Sequence, residues 1–193
     1  MGKKFVGRAV LVLLLIMVLT LLNSSAQQNV PDQQNSIKDL LKSAIDLISF
    51  TLETAALASS APTPRLLTNY SCVVLATIEG RTSGSPLLHP TCTASSLPEG
   101  MGIKSFVAQL KAKLEQAGGS DISLTFRNIQ TYLNKASDLT KEALTKIASA
   151  EAKLDEAKTD MQVVLAFLSA VMGRPADAFS YGGLLTIQAR AGK

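Results

Sequence analysis

The apolar residues in the last third of this chain recur at alternating steps of three and four. This spacing holds at fifteen successive positions, and only Thr140 among them is polar, although apolar residues make up 47% of the whole sequence. The positions are Ile122, Phe126, Ile129, Leu133, Ala136, Thr140, Ala143, Ile147, Ala150, Leu154, Ala157, Met161, Val164, Leu168 and Val171. The pattern predicts one apolar seam along a long helix, or along two nearly collinear helices.

Alanine occupies every seventh position through the middle of this seam, which favours close antiparallel packing of helices. One helix over residues 121–172 would be about 78 Å long at about 1.5 Å per residue, so we expect the segment to fold. We predict a break at 134–138, where Asn134 can end one helix and Ser137 or Asp138 can cap the next. Because the seam continues in phase across this stretch, a kink or an unbroken helix is the alternative.

The end of the long segment differs from its beginning. Residues 161–172 are apolar on almost every side, as in buried helices, so we expect them in the middle of a bundle. Gly173 and Pro175 end the helix. The Gly-rich residues 174–193 are predicted to be a poorly ordered C-terminal tail.

A first helix is predicted near the start of the mature chain. It begins at Asn35 or Ser36 and ends near Ser59, before Pro62 and Pro64. Its apolar stripe consists of Ile37, Leu40, Leu41, Ala44, Ile48, Leu52 and Ala55. The spacing is that of an amphipathic helix with one buried face.

Residues 65–79 are compatible with two structures. Their β-branched residues suit a strand, whereas apolar residues at helical spacing from Leu67 to Ile78 favour a helix that ends at Gly80. A further helix is predicted over 103–116, with Ile103, Phe106, Val107, Leu110 and Leu114 on one face.

Two segments are not predicted to be helical. Residues 27–34 are polar and form a loose N-terminal arm, and residues 80–102, rich in Gly, Pro, Ser and Thr, form a long loop. The sequence therefore predicts an all-α fold, a bundle of four or five helices over residues 35–173 with one disulfide-closed loop.

The N-terminus has the pattern of a secretory signal peptide. Three basic residues within the first eight positions precede an apolar run over 9–22, and the small residues Ser24 and Ala26 follow. We predict cleavage between Ala26 and Gln27. The run is shorter than the roughly 20 residues that span a bilayer, although an uncleaved anchor is the alternative. We expect a secreted, extracellular protein without stable membrane insertion after cleavage.

Cleavage of the predicted signal peptide lowers the net charge of the chain. The precursor carries a net charge of +4, and three of its 19 basic residues lie in residues 1–26 with no acidic residue, so the mature chain carries +1. No cluster of basic residues with interleaved aromatics remains, and we expect no nucleic-acid partner.

The two cysteines, Cys72 and Cys92, are expected to form a disulfide in an oxidising compartment. On the chain-entropy model, a loop of this size stabilises the fold by roughly 3 kcal/mol. Free thiols or an intermolecular bridge are the alternative. His89 lies between the cysteines, but oxidised cysteines cannot bind a metal and no fourth ligand is evident. We predict no metal site and an exposed loop histidine.

Asn69 begins the triplet Asn69, Tyr70 and Ser71, which is an N-glycosylation sequon. The triplet is credible because the chain is predicted to be secreted. An occupied Asn69 must face solvent. A second triplet at Asn23 lies within the predicted signal peptide.

The sequence offers few candidate catalytic residues. His89 is the only histidine, and the chain lacks a Gly-x-Ser-x-Gly elbow, a phosphate-binding loop and a dinucleotide fingerprint. The carboxylates of Glu151, Asp155 and Glu156 alternate with lysines opposite the seam, as on solvated helix faces. We expect a protein that is not an enzyme, with no catalytic residue and no cofactor.

Two functions remain. The first is a secreted interaction protein that binds an extracellular protein, such as a secreted enzyme that it inhibits, or another copy of itself. The alternative is an extracellular carrier of lipid or another apolar ligand. The alanine-rich seam favours the first because close packing leaves little room for a cavity.

The signal peptide, the capped amphipathic helix, the cysteine-pinned segment and the long C-terminal helices resemble small secreted helical proteins of plants. In general appearance the chain is similar to the four-helix bundles of pectin methylesterase and invertase inhibitors. That family typically has four cysteines in two disulfides, whereas this chain has Cys72 and Cys92 alone. The helix at Ser105 and Phe106 and the Ala-, Lys- and Glu-rich C-terminal helices are similar to an uncharacterised crucifer family of secreted, reproductive-tissue proteins. The resemblance implies a secreted helical bundle.

Overall fold

The computed structural model describes residues 36–82, 87–93, 98–117, 122–149, 153–173 and 183–191. The chain divides into two compact units, residues 1–37 and 38–193. The predicted signal peptide, its cleavage site between Ala26 and Gln27 and the arm at 27–34 lie outside the described residues. The architecture below is that of the second unit.

The described residues form a helical bundle with one very short strand pair. In chain order the elements are α1 (36–59), α2 (Pro64–Glu79), β1 (Gly80–Arg81), β2 (Gly100–Met101), α3 (Ile103–Gln116), α4 (Ser123–Ala148), α5 (Leu154–Met172) and α6 (Leu184–Ala191). This confirms the predicted all-α class. The ambiguous segment at 65–79 belongs to α2 and is helical.

The seam is buried along α4 and α5. Twelve of its fifteen residues are buried, Ile147 and Leu154 beside the turn are half-buried, and Ala150 lies outside the described residues. The hydroxyl of Thr140, the polar member, donates to the Ala136 carbonyl at 2.7 Å and is therefore satisfied inside the core. The periodic pattern thus identified the buried face correctly.

α4 and α5 pack as an antiparallel hairpin, and their contact is more extensive than any other between elements from α2 to α6. The rings of Tyr132 and Phe167 lie with their centroids 5.9 Å apart. Nearer the turn, Lys146 Nζ donates to Asp160 Oδ2 at 2.7 Å. The later residue of α4, Lys146, contacts the earlier residue of α5, Asp160. The two helices therefore run in opposite directions.

α4 ends at Ala148 and α5 begins at Leu154, so the predicted break at 134–138 is wrong. Residues 134–138 are helical, and Ser137 is fully buried with its hydroxyl donating to Glu79 Oε1 at 2.5 Å. The residues between the two helices, 149–153, contain neither Gly nor Pro. Ser149 adopts an extended ψ of 155°, and its hydroxyl donates to the Lys146 carbonyl at 2.7 Å. Packing of the seam on itself selects this position.

Residues 161–172 are not buried on every side, contrary to the sequence-based expectation. Met161, Val164 and Leu168 are fully buried, whereas Val163 is 42% exposed and Ala166 is exposed. The reason is that α5 rests on α4 along one face, with much smaller contacts to α2 and α6. The opposite face of α5 is open to solvent.

α2 begins and ends at residues suited to those positions. Thr63 is its N-cap, with the hydroxyl accepting from the Leu66 N–H at 3.3 Å, and Pro64 occupies the first turn. Inside the bundle the hydroxyls of Thr51 on α1 and Thr77 on α2 lie 3.0 Å apart. This buried polar contact fixes the two helices relative to each other.

The two ends of the predicted loop at 80–102 pair with each other. β1 and β2 are antiparallel, with Gly80 opposite Met101. Gly80 adopts a φ of 81°, and a Cβ added to Gly102 would lie 2.1 Å from the Gly80 nitrogen. Only glycine allows the two backbones to meet this closely. The pairing brings the end of α2 beside the start of α3.

The predicted poorly ordered tail at 174–193 is wrong for its last part, which forms α6. Leu184 and Ile187, one helical turn apart, are buried. A Cβ at Gly183 would lie 1.9 Å from the Val171 carbonyl oxygen, so the missing side chain lets the chain return onto the end of α5. The sixth helix of the described residues therefore packs its buried side chains against the end of α5.

Overpacking the seam should destabilise the fold. Ala143 is fully buried between the helices, so Ala143→Leu is expected to lower the free energy of unfolding by about 1–3 kcal/mol. Ala166→Leu on the exposed face of α5 is the matched control and should change it by less than about 0.5 kcal/mol. Urea denaturation followed by circular dichroism measures both. Equal effects of the two substitutions would contradict the packing described here.

Candidate functional site

An open groove crosses the surface where α1 approaches β2 and α3. Its volume is about 490 Å³, and its lining consists of Ser43, Asp46, Leu47, Phe50, Met101 and Phe106. The first four residues come from α1, and the last two come from β2 and α3. We call this feature the groove.

The groove exposes large apolar side chains. Phe50 is 48% exposed and Met101 is 50% exposed, while Phe106 is half-buried. The strand pairing with Gly80 holds Met101 in place, and the Gln109 side-chain amide donates to the Met101 sulfur at 3.1 Å. Methionine and phenylalanine together form an adaptable apolar floor.

Sequence reasoning missed the groove. Phe106 was predicted on the buried face of α3, and it lies at the edge of that face, half-buried. Phe50 and Leu57 lie outside the predicted apolar stripe of α1, and both are about half exposed, at 48% and 51%. Of these two, only Phe50 lines the groove. The available signal was therefore this one large apolar side chain outside the predicted buried face of α1.

A second cluster, the Glu79 cluster, joins three helices through Glu79, Lys104, Ser137 and Lys141. Glu79 Oε1 accepts hydrogen bonds from Lys104 Nζ at 2.7 Å and from Ser137 Oγ at 2.5 Å, and Lys141 Nζ lies 3.8 Å away. Partial burial raises the pKa of Glu79, but hydrogen bonds from Lys104 and Ser137 and the charges of both lysines outweigh it. The pKa therefore lies below its ordinary value.

The chemistry of this cluster is structural. The Ser137 hydroxyl is fully buried and donates its proton to a carboxylate, so a substrate cannot reach it and it is not paired with histidine. The ammonium groups balance the Glu79 charge at the end of α2. The arrangement links α2, α3 and α4 and offers no activated nucleophile.

The disulfide between Cys72 and Cys92 is present, as the sequence predicts. Leu88, within the loop that it closes, packs on a buried cluster formed by Cys72, Leu75, Ala76, Cys92 and Leu144. The disulfide therefore belongs to the core between α2 and α4, and it anchors the residues around His89 to that core.

His89 is half-buried rather than exposed, which corrects the expectation from the sequence. The ring nitrogen Nδ1 lies 2.8 Å from Thr91 Oγ1, and Nε2 lies 3.2 Å from Thr145 Oγ1. The Thr145 hydroxyl in turn donates to the Lys141 carbonyl at 2.9 Å. Partial burial, and then the charge of Lys141, lower the pKa of His89. The imidazole ring of His89 therefore holds its loop against α4.

The other predicted site residue within the described part is Asn69, which is exposed on α2. Across the described residues, no group of three or more His, Cys, Asp or Glu side chains is arranged to hold a metal ion. The same part of the chain has no helix that is both long and apolar enough to cross a bilayer. No family model, curated protein or solved structure matches the chain.

Replacing Glu79 should make the stability less dependent on pH. Because its pKa is lowered in the folded state, Glu79 contributes stability that is present above its unfolded pKa of about 4.5 and is lost as pH falls through the folded value. Glu79→Gln is expected to cost about 1 kcal/mol at pH 7, since the group is partly exposed. The difference from the wild type should shrink toward pH 3.

Urea denaturation at pH 7 and pH 3 measures this effect. Glu115→Gln is the control, because Glu115 forms an exposed pair with Lys111 within α3 and should change little at either pH. A cost for Glu79→Gln that is equal at both pH values would show that the carboxylate charge contributes nothing.

Proposed function

We propose that this protein is a secreted, non-enzymatic helical binding protein, and that the groove holds a segment of an extracellular protein partner. The observation that carries the proposal is the exposure of Phe50 and Met101, at 48% and 50%, beside Phe106 in one concave surface. Exposed apolar clusters of this kind are typical of interaction sites, and aromatic residues carry much of the energy at protein interfaces.

The chemistry of the groove favours a particular kind of segment. The Asp46 carboxylate and the Ser43 hydroxyl are polar groups in an otherwise apolar lining. A segment that places an apolar side chain on Phe50, Met101 and Phe106, with a neighbouring Lys or Arg near Asp46, would complement both features. The charge pair would contribute more to specificity than to affinity. Inhibition of a secreted enzyme is one form that such binding can take.

Three observations support binding rather than catalysis. The Ser137 hydroxyl is buried and bonded to Glu79. The ring nitrogens of His89 are occupied by contacts with Thr91 and Thr145. The residues that line the groove include one carboxylate, Asp46, and one hydroxyl, Ser43, and no histidine or cysteine.

A carrier of lipid or another apolar ligand is the second candidate. In its favour, the lining is mostly apolar and the volume of about 490 Å³ falls within the range of about 300–1,000 Å³ for small-molecule sites. Such sites bury most of the ligand surface, whereas this groove is open to solvent and leaves Phe50 and Met101 about half exposed. The protein partner is therefore the better supported occupant.

Peptide display against the full secreted chain tests the proposal. We expect selected peptides to share an aromatic or aliphatic residue next to Lys or Arg. Phe50→Ala and Met101→Ala should each weaken their binding about tenfold or more, which corresponds to about 1.4 kcal/mol. Asp46→Lys should weaken the binding of peptides that carry the basic residue.

Val163→Ala is the matched control, because Val163 is 42% exposed on α5 and does not line the groove. Peptides that bind the Phe50 and Val163 variants equally well would overturn the groove as the binding site. Saturable displacement of a fluorescent fatty acid by the monomer, lost in Phe50→Ala, would favour the carrier instead. A dimer that dissociates in Phe50→Ala would identify a second copy of the chain as the occupant.

A further inference from the structure

The first and last residues of the sequon on α2 differ in solvent exposure. Asn69 points to solvent, whereas Ser71, whose hydroxyl completes the sequon, is 0% exposed. The two residues lie on opposite sides of a helix that is buried along the side of Leu67, Ser71 and Cys72. A glycan on Asn69 would therefore extend into solvent without disturbing the core.

The hydroxyl of Ser71 is buried and has no hydrogen-bond partner in the described part of the chain. Other hydroxyls on the same helix are satisfied, since Thr68 donates to the Pro64 carbonyl at 2.9 Å and Thr77 donates to the Val73 carbonyl at 3.1 Å. Burying a hydroxyl without a partner is unfavourable, so alanine would suit this core position better. The fold does not account for the serine, but the sequon does.

We propose that Asn69 carries an N-linked glycan and that it is added before α2 folds, an inference that depends on the predicted secretion. In this reaction the Asn69 amide nitrogen forms a bond to the anomeric carbon of a lipid-diphosphate-linked oligosaccharide. The bond from that carbon to the diphosphate oxygen breaks, the diphosphate leaves with the electron pair, and the nitrogen loses one proton. The enzyme must also contact the Ser71 hydroxyl, which the folded protein buries.

The glycan would also restrict the surface available to partners. Asn69 is exposed on α2 between the half-buried Thr68 and Tyr70, while the groove is formed by α1, β2 and α3. A modified α2 surface and a free groove are therefore compatible, and the glycan does not depend on the groove being the binding site.

The site is tested by expressing the full chain in eukaryotic secretory cells, with its own residues 1–26 and, in parallel, with an established signal peptide. We expect an endoglycosidase-sensitive mass shift that is lost in Asn69→Gln and in Ser71→Ala. Asn134→Gln is the matched control, because Asn134 is exposed on α4 but is followed by Lys135 and Ala136, so it begins no sequon. Secreted chain without a shift under the established signal peptide would overturn the proposal.

The parallel experiment with an established signal peptide distinguishes a failure of this proposal from a failure of the predicted secretion. If the chain reaches the medium and is modified only with the established signal peptide, the site stands and the predicted leader is wrong. If a shift persists in Asn69→Gln, the modified residue is elsewhere and the assignment to Asn69 fails.

The proposed order, in which the glycan is added before α2 folds, is tested by incubating unglycosylated chain with microsomal membranes that contain the enzyme that transfers the glycan. Reduced, unfolded chain should be modified, and the same chain folded with its disulfide closed should lose that modification. Equal modification of both forms would overturn the order of events. Ser71→Ala, which should carry no glycan, is expected to have a urea midpoint no lower than that of the enzymatically deglycosylated wild type. A lower midpoint would show that the hydroxyl serves the fold.

Discussion

α4 and α5 approach each other closely because alanine recurs every seventh residue through the middle of their shared seam. Ala136, Ala143 and Ala157 are fully buried, and larger residues such as Phe126, Met161 and Leu168 fill the seam toward its two ends. Burial of this seam supplies the main apolar contact of the hairpin. The resulting α4 surface then determines where the earlier helices can pack.

α2 connects that hairpin to the rest of the bundle by three kinds of interaction. Cys72 links it covalently to the loop that rests on α4, and Glu79 accepts hydrogen bonds from α3 and α4. Thr77 contacts Thr51 of α1 inside the core. Because Gly80 then turns the chain into the short strand pair, Met101 is held beside α1. The groove is a consequence of these connections rather than a feature of any one helix.

Much of the fold follows from local sequence. The seam, the apolar stripe of α1 and the bounds of α3 could be predicted because each depends on spacing along the chain. The disulfide could be predicted because the sequence has two cysteines. The end of α4 at Ala148 could not, since the residues that follow it, 149–153, contain no Gly or Pro. α6 was missed because the three apolar residues Leu184, Leu185 and Ile187 form too short a stretch to show a helical period. The groove was missed because Phe50 and Met101, 51 positions apart, meet only through tertiary contacts.

The most direct test of this account is a nuclear Overhauser effect between the ring protons of Tyr132 and Phe167. The hairpin places the ring centroids 5.9 Å apart, so the monomer should give cross-peaks that persist when labelled protein is diluted into unlabelled protein. An unbroken helix would separate the two residues by about 52 Å, at about 1.5 Å per residue over 35 positions. Cross-peaks that are absent, or that disappear on dilution, would contradict an intramolecular hairpin.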